Sequence, residues 1–260
     1  MNRMAQNSHI LSLLAAHNYQ TKQMRFICRT LAEHLSGDVL DIGGMLQEHI
    51  EDLLPHVHSY IVASQKHYRH AIPEAINLEF RHMKFPPFTT FYGAQFDNVI
   101  CCYSLERIKN DFLLIREIHR ILRPGGKLIV ITPNKQTSFL NNPFNLREYT
   151  EDELKNLLSC TFRLKETLGI YGNRRIALYR ERDRRISESF LGFDFLMLHR
   201  WIPRKIQQLP FGFLENIKRR RLLIMNRKLV SSIHEDDFFL CPADQRCIDF
   251  FFVAEKPDRE

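Results

Sequence analysis

Two adjoining stretches decide the fold: FDNVICCYSLERI at residues 96–108 and IREIHRILRPGGKLIVITPN at residues 115–134. Residues 96–103 are almost all apolar, which is typical of a strand buried on both faces of a sheet. Residues 111–122 place their apolar side chains on one side of a predicted helix. Residues 127–132 then predict a second buried strand. This order predicts two parallel strands joined by a right-handed crossover.

Outward from this centre, helices and strands continue to alternate. Between the two stretches, RPGG at residues 123–126 predicts a turn, because proline fixes φ and glycine permits positive φ. On the amino-terminal side, helical spacing predicts a helix that ends at Gly37 and a shorter helix around residues 50–54. On the carboxyl side, Thr150 and Glu153 have the spacing of a capping box at the start of the next helix. Further strands are predicted at residues 39–43, 59–63, 76–80, 162–170 and 248–254.

This alternation predicts a Rossmann-like, doubly wound α/β fold whose sheet has about seven strands, most of them parallel. Residues 96–103 and 127–132 should be adjacent at its centre, because they are the two most apolar runs. Ligands of such sheets bind outside the carboxyl ends of the strands. We divide the chain into an N-terminal helical region at residues 1–36, a Rossmann-like core at residues 37–173, a basic helical insertion at residues 174–232, and the final strand and tail at residues 233–260.

The composition is that of a globular protein, with 260 residues of which 44% are hydrophobic. No apolar run approaches the roughly 20 residues that a membrane-spanning helix needs. The six cysteines show no C-x-x-C spacing, which favours a reducing compartment over a secreted disulfide framework. We therefore expect a cytoplasmic protein.

The basic charge is concentrated in one part of the chain. Residues 174–228 hold 15 Lys and Arg against 5 Asp and Glu, a net +10, whereas the whole chain carries +7. Aromatic residues are interleaved with these charges. One face of a predicted helix in this segment carries the apolar residues Ile186, Phe190, Phe193, Met197 and Trp201. Such a segment suits an anionic membrane surface or a lipid-linked or acidic glycan acceptor, which would place the protein peripherally at a membrane. Nucleic acid is a poorer match, because no known nucleic-acid motif is present. The alternative is a helical lid over the ligand edge whose charges are merely solvated.

These motifs resemble the centre of small class I methyltransferases that use S-adenosylmethionine. Members of that family read F-D-x-V, then L-E-H, then R-x-L-R-P-G-G and an apolar strand. FNLREYTEDEL at residues 144–154 is similar to the segment after their fifth strand, and IDFFFVAEKP at residues 248–257 resembles their last strand. The likeness covers residues 39–172 and 247–257. It implies methyl transfer from S-adenosylmethionine to a small-molecule or a glycan- or lipid-linked acceptor.

The resemblance also assigns the cofactor positions. The family's first motif reads D-x-G-x-G-x-G, and Asp41 and Gly43 match it, whereas Met45 and Gln47 stand where glycines are expected. Glycines there let the backbone turn tightly and approach the cofactor. The cofactor-binding residues that the resemblance implies are Asp41, Gly43, Gly44, Ser64, His82, Met83 and Tyr103.

Two acids of the family pattern are missing. The second strand should end in an acid that accepts the ribose hydroxyls, but Ser64, or alternatively Gln65, stands there. The segment after the third strand, around His82 and Met83, lacks the Asp that contacts adenine. A hydrogen bond to a charged group contributes about 1.5–3 kcal/mol. Two such losses cost about 3–6 kcal/mol, or 10²–10⁴ in affinity. The sequence therefore predicts weak or lost cofactor binding, and its second hypothesis is a catalytically inactive binding or scaffold protein.

A catalytic base is not evident from the sequence. Family members that act on small molecules often have His after the Glu of L-E-H, but here Arg107 follows Glu106. Arginine does not lose its proton near neutral pH, so Glu106 is the nearest candidate for a base. Its alternative role is a structural acid paired with Arg107 or with a helix N-terminus. Arg147 is a candidate for holding an anionic acceptor, unless it pairs with a neighbouring Glu.

Six histidines fall within residues 49–82 and include a His-x-His and a His-x-x-His pair. No cysteine and few acids accompany them, so we predict surface histidines and no metal site. They are His49, His56, His58, His67, His70 and His82.

Overall fold

A computed structural model shows how the chain folds. It describes residues 19–65, 75–138, 142, 144–191 and 226–258. The chain divides into two compact units. The larger comprises Ile27–Ser138, Asn145–Tyr171 and Leu240–Glu260, and the smaller comprises Met1–Phe26, Phe139–Phe144 and Gly172–Phe239.

The described residues form eight strands, five α-helices and several 3₁₀ helices. The strands are β1 (Asp38–Ile42), β2 (Ser59–Ser64), β3 (Leu78–His82), β4 (Phe96–Cys102), β5 (Leu122–Pro133), β6 (Arg163–Gly172), β7 (Phe238–Pro242) and β8 (Asp249–Glu255). The α-helices are α1 (Tyr19–Ala32), α2 (Asp111–Ile121), α3 (Glu151–Ser159), α4 (Arg174–Leu191) and α5 (Arg227–Ser231). The 3₁₀ helices are Gln47–Asp52, Leu54–His56, Leu105–Arg107 and Glu235–Asp237.

All eight strands belong to one sheet with the order β3-β2-β1-β4-β5-β8-β6-β7. Strands β1 to β5 are parallel to one another, whereas β8 is antiparallel to both β5 and β6. This confirms the predicted Rossmann-like α/β fold, with eight strands where about seven were expected. The additional strand, β7, lies at the sheet edge and ends in Pro242, a residue that cannot donate to a strand ladder.

The predicted centre of the sheet is confirmed as well. β4 and β5 are adjacent and parallel, with Val99 opposite Leu128, and both side chains are buried. Helices α2 and α3 add Leu114 and Leu154 to the same buried apolar cluster. Burial on both faces explains why these two strands read as continuous apolar runs.

Residues 123–126, which were predicted as a separate turn, lie within β5, although Gly125 has the positive φ that the prediction required, +72°. The register between β4 and β5 is irregular here, since Phe96 pairs with Leu122 but Asn98 pairs with Lys127. The chain after β8 supplies the missing partners. The Gly125 N–H donates to the Lys256 carbonyl at 3.0 Å, and the Lys256 N–H donates to the Gly126 carbonyl at 2.8 Å. A distant segment therefore keeps this glycine-rich piece in the sheet.

Two local predictions on the amino-terminal side also need correction. The helix predicted around residues 50–54 is a pair of short 3₁₀ helices, Gln47–Asp52 and Leu54–His56, with Pro55 inside the second. Gly37 does not end α1, which stops at Ala32, but has a φ of +66° before β1. A Cβ on Gly37 would clash with the Asp97 carboxylate, so any other residue there would force the Asp97 side chain to move.

The capping box of α3 is confirmed. The Glu153 N–H donates to Thr150 Oγ1 at 3.3 Å, and the Thr150 N–H donates to Glu153 Oε2 at 2.8 Å. These bonds satisfy two of the N–H groups that a helix start otherwise leaves without partners. They fix the start of the helix that follows β5.

In the smaller unit, both ends of the basic insertion are helical, as α4 and α5. The Tyr19 and Tyr179 rings stack with centroids 4.5 Å apart, and Arg175 forms a 3.2 Å ion pair with Asp237. Residues 192–225 lie outside the described residues, together with most of the apolar stripe that ends at Trp201. The placement of the insertion over the ligand edge therefore stays a prediction. Among the described residues, no helix is both long and apolar enough to cross a membrane.

Candidate active site

The turn after β1 lies at the carboxyl edge of the sheet. Asp41 is fully buried between β2 and β4, opposite Val62 and Ile100. Gly43 follows it with a φ of +101°, a conformation that favours glycine. A Cβ on Gly43 would lie 2.9 Å from the Ser104 Cβ, so the Gly43 backbone packs directly against the Ser104 side chain in the segment after β4.

The Asp41 carboxylate is the most unusual group of this edge. Neither oxygen makes a hydrogen bond of good geometry, although the Gly44 N–H and the Tyr60 hydroxyl lie near enough to lower its pKa. Burial outweighs both and raises the Asp41 pKa to about 7. The buried hydroxyls of Tyr60 and Ser104 also lack partners of good geometry. Leaving a buried polar group unsatisfied costs about 1–3 kcal/mol, so these groups favour a ligand that completes their bonds.

The ends of β2 and β3 bring three of the predicted residues together. Ser64 is the buried last residue of β2, and it pairs in register with the exposed His82. The Met83 N–H donates to the Ser64 carbonyl at 2.9 Å, and the Gly43 N–H donates to the Ala63 carbonyl at 2.8 Å. These bonds join the turn after β1 to the ends of both strands.

Two residues depart from the family's glycine pattern after β1. Met45 lies on the surface with 38% of its area exposed, and Gln47 begins the first 3₁₀ helix. A short 3₁₀ segment with the apolar Leu46 and Ile50 fully buried follows the turn. The larger side chains are thus accommodated outside the core.

Tyr103 follows β4 at the same edge and has a positive φ of +47°, which is uncommon for a residue with a side chain. Its N–H donates to the Ile131 carbonyl at 2.8 Å, and its hydroxyl donates to Asp249 Oδ2 at 2.9 Å. The tyrosine therefore connects the end of β4 with the beginning of β8.

Glu106 is buried beside this tyrosine, with 1% of its area exposed. The Thr132 hydroxyl donates to Glu106 Oε2 at 3.1 Å. Burial is the main cause that raises the Glu106 pKa to about 7, and the charge of Asp249 adds to it, while Arg107 and Thr132 oppose it. The Glu106 carbonyl accepts the Leu146 N–H at 2.8 Å, so the residue also holds the segment after β5 in place.

Asp249 is a site residue that the sequence analysis missed. It is the first residue of β8, has 5% of its area exposed, and lies opposite Pro133 and Ile170. Because β8 is antiparallel to β5, its first residue reaches the edge where the parallel strands end. The signal that the sequence offered for this residue was a single acid directly before the apolar run FFFVA at residues 250–254.

Arg147 serves the fold rather than an open binding position. It forms a 2.5 Å ion pair with Asp111, and Arg147 Nη2 donates to the Lys109 carbonyl at 2.6 Å. The predicted pairing with a neighbouring Glu is therefore wrong, because Asp111 at the start of α2 lies closer. The Tyr149 hydroxyl donates to the same aspartate at 2.9 Å.

The histidines show no metal-ligand geometry in the part of the chain that the structure describes. Within it, no group of three or more His, Cys, Asp and Glu side chains comes close enough to hold a metal ion. His67 and His70 lie outside the described residues.

Residues 15–166, more than half of the chain, match the family of proteins with a methyltransferase domain. The chain belongs to the class I S-adenosylmethionine-dependent methyltransferases. A protein of Mycolicibacterium smegmatis described as a probable S-adenosylmethionine-dependent methyltransferase is similar to it, with 28% identity over 248 residues. That match covers 91% of this chain and 87% of the relative.

Two solved structures are similar to the chain. The cyclase SpnF aligns with a TM-score of 0.52 at 16% identity, covering 90% of this chain and 81% of that one. The N-methyltransferase NodS from Bradyrhizobium japonicum, in complex with S-adenosyl-L-homocysteine, aligns with a TM-score of 0.44 at 16% identity, covering 58% and 79%. At such identities the likeness concerns the fold alone.

The cofactor of this methyltransferase family is S-adenosylmethionine, and the edge around Asp41 fits such a molecule. A buried carboxylate without good partners suits the cationic groups of the cofactor, and the Ser104 hydroxyl, buried without a good partner, lies next to the Gly43 backbone. Ser64 offers a buried neutral hydroxyl where the family has an acid. The charged end of the cofactor thus has a carboxylate as a partner, whereas the ribose has only a neutral hydroxyl.

Proposed function

We propose that the chain transfers a methyl group from S-adenosylmethionine to a small-molecule or a glycan- or lipid-linked acceptor. The observation that carries the proposal is the Asp41 carboxylate, buried beside the turn at Gly43 with no hydrogen bond of good geometry. A scaffold protein without ligand would gain stability by replacing that group with an apolar residue. Its retention with the neighbouring unsatisfied Tyr60 and Ser104 hydroxyls favours a bound polar ligand.

The residues of this edge would act mainly by positioning. When bound, S-adenosylmethionine supplies an electrophilic methyl group on a sulfonium. Asp41 would bind and orient the cofactor, and Ser104 would complete its hydrogen bonds next to the Gly43 backbone. Alignment of the acceptor with the methyl group accounts for most of the acceleration in such a displacement.

Calorimetric titration with S-adenosylmethionine and S-adenosylhomocysteine tests the cofactor part of the proposal. We expect the parent protein to bind both, and Asp41→Asn to weaken binding by about tenfold or more, because a charged hydrogen bond is lost. Asp244→Asn, which changes an acid that pairs with Arg246 on the surface, is the matched control and should bind like the parent. No binding by the parent would support the scaffold hypothesis instead.

The acceptor is tested with two pools of candidate molecules. Methyl-labelled S-adenosylmethionine is incubated with a bacterial lipid extract and, separately, with a water-soluble extract of low molecular weight. Label in the lipid fraction would identify a lipid-linked acceptor, and label in the other fraction a soluble one. Cofactor binding without label in either pool contradicts the proposed acceptors.

A further inference from the structure

The Tyr103 and Asp249 side chains form a hydrogen-bonded pair between the ends of β4 and β8. The Tyr103 hydroxyl donates to Asp249 Oδ2 at 2.9 Å. Asp249 itself is buried, whereas Tyr103 is only half-buried. A molecule at the sheet edge would therefore reach the carboxylate through the tyrosine.

The Glu106 side chain supplies a second carboxyl group near this pair. Glu106 is fully enclosed, accepts the Thr132 hydroxyl, and lies close enough to Asp249 for the two charges to oppose each other. The nearby Asp249 charge contributes to raising the Glu106 pKa, after burial as the main cause. Glu106 touches no solvent, so it acts through Asp249.

The edge also holds a group that points to a ligand. The Ser104 hydroxyl, next to Tyr103 in sequence, is buried without a hydrogen bond of good geometry, although it lies near the Cys101 thiol. It sits where the turn at Gly43 comes closest. Tyr103 is thus placed beside the cofactor edge assigned above.

We propose that the acceptor is an alcohol or phenol whose hydroxyl proton is taken up by Tyr103 and Asp249, with Glu106 as a positioning residue. The inference rests on the proposed function and names the acceptor's chemistry. In the step, the acceptor oxygen forms a bond to the methyl carbon as the carbon–sulfur bond breaks, and that bond's electron pair stays on sulfur, which becomes neutral. The acceptor proton passes to the Tyr103 oxygen while the Tyr103 proton moves to Asp249.

The charges at this place select against other acceptors. A carboxylate acceptor would face Asp249 and Glu106 and be repelled by their charge. A neutral amine needs no base before it attacks, so a buried carboxylate linked to a tyrosine would add nothing to its reaction. A hydroxyl group needs a proton acceptor, and a correctly placed base typically contributes 10²–10⁴ in rate.

The pH profile depends on every group around the carboxyl pair. Arg107, Asp249 and Thr132 act on Glu106, which in turn raises the pKa of the thiols Cys101 and Cys102 and of the Tyr149 hydroxyl. Of these, burial has already moved the thiols and Tyr149 far above neutral pH. Asp41, whose pKa is also raised to about 7, acts on cofactor affinity, so the rates are measured at saturating cofactor, where a change near neutrality reports the carboxyl pair.

The test compares Tyr103→Phe and Asp249→Asn with the parent, using the two acceptor pools and methyl-labelled cofactor. Tyr92→Phe is the matched control, because Tyr92 is 83% exposed. We expect Asp249→Asn, which changes no residue of the implied cofactor site, to bind S-adenosylmethionine within threefold of the parent. At saturating cofactor, both variants should lose about 100-fold in initial rate. The ¹³C-methyl product should be a methyl ether by its carbon chemical shift. The parent rate should level off above neutral pH, whereas the residual rate of Asp249→Asn should keep rising as the acceptor itself ionises.

The possible failures are distinguishable. If the parent protein labels no acceptor in either pool, the proposed function and this inference are overturned together. Labelling by the parent that persists in both variants overturns only the inference, as does an N-methyl or methyl ester product. An Asp249→Asn variant that loses cofactor binding together with its rate would also overturn it, because Asp249 would then have a structural role.

Discussion

Gly43 and Ser104 approach so closely that a Cβ on Gly43 would lie 2.9 Å from the Ser104 Cβ. The contact joins the turn after β1 to the segment after β4 across the middle of the sheet edge. It explains why the first glycine of the motif is retained although Met45 and Gln47 have replaced the later ones.

We expect Gly43→Ala to destabilise the protein by about 2 kcal/mol or more, because alanine meets both the positive φ and the Ser104 side chain. Cofactor affinity should fall as well, since the turn must shift. Gly93→Ala is the matched control, because its nearest neighbour would be the Arg120 carbonyl at 3.5 Å, an ordinary contact distance. Urea unfolding and calorimetry measure the two effects, and equal results for both variants would contradict the assigned role of Gly43.

The raised pKa of Asp41, about 7, makes cofactor affinity depend on pH. Below this value the free protein carries a proton on Asp41, which must leave before the carboxylate can bind a cation. Affinity for S-adenosylmethionine should therefore increase with pH by up to about tenfold per unit and level off above neutrality. Asp41→Asn should show a nearly constant affinity. Titrations from pH 5.5 to 8.5 check this, and a parent affinity that falls with pH would be inconsistent with it.

Burial of Glu106 makes the fold less stable at alkaline than at acidic pH. Its pKa is about 7 in the folded protein against 4.5 when exposed, so its contribution is full below pH 4.5 and is lost as pH rises to about 7. The loss is at most about 3 kcal/mol. Glu106→Gln keeps an acceptor for Thr132 without the charge, so we expect it to be more stable than the parent at pH 8 but not at pH 4. Unfolding of an exposed control, Glu48→Gln, should follow the parent at both pH values.

The resemblance places Ser64, or alternatively Gln65, at the family's ribose-binding acid, and Ser64 lies at the buried end of β2 opposite His82. Ser64→Asp should tighten S-adenosylmethionine binding by about 1–3 kcal/mol, or about 5–150-fold. Gln65→Asp is the matched comparison, because it places the same charge one residue further on, where the side chain is exposed. A gain with Gln65→Asp alone would move the ribose position to that residue.

The parts of the fold that were predictable depend on local patterns. The β4 and β5 strands are buried on both faces, so their sequences carry continuous apolar runs whatever their neighbours are. The capping box at Thr150 and Glu153 is contained within four residues and needs no distant partner. Asp41 and Ser64 lie near the ends of buried strands and Gly43 follows one, and the three lie at the carboxyl edge of the sheet as predicted.

The remaining features depend on contacts that are distant in sequence. Gly125 stays in β5 because Lys256 supplies its hydrogen bond, 131 residues further along the chain. Asp249 reaches the site because β8 inserts antiparallel between β5 and β6. Neither relationship leaves a periodic pattern, so residues 123–126 were predicted as a separate turn and the Tyr103 partner was missed.

The helix α4 is the longer of the two described helices of the basic insertion. Its charges allow a test of whether that insertion meets an anionic surface. Arg174, Arg182 and Arg185 are exposed on it, although Arg185 forms an i,i+4 ion pair with Glu181. Such an exposed pair contributes little, so these charges could turn to a membrane at small cost.

Replacing these three arginines of α4 by Gln should weaken binding to phosphatidylglycerol vesicles by about 3 kcal/mol in total, at about 1 kcal/mol for each charge near the surface. The effect should be largest at low salt, where screening is weakest, and absent with phosphatidylcholine vesicles. Arg246→Gln removes one exposed arginine of the larger unit and measures how much the loss of a single charge elsewhere weakens binding. Equal vesicle binding by the triple variant and the parent, or no binding by either, would favour an insertion whose charges are only solvated.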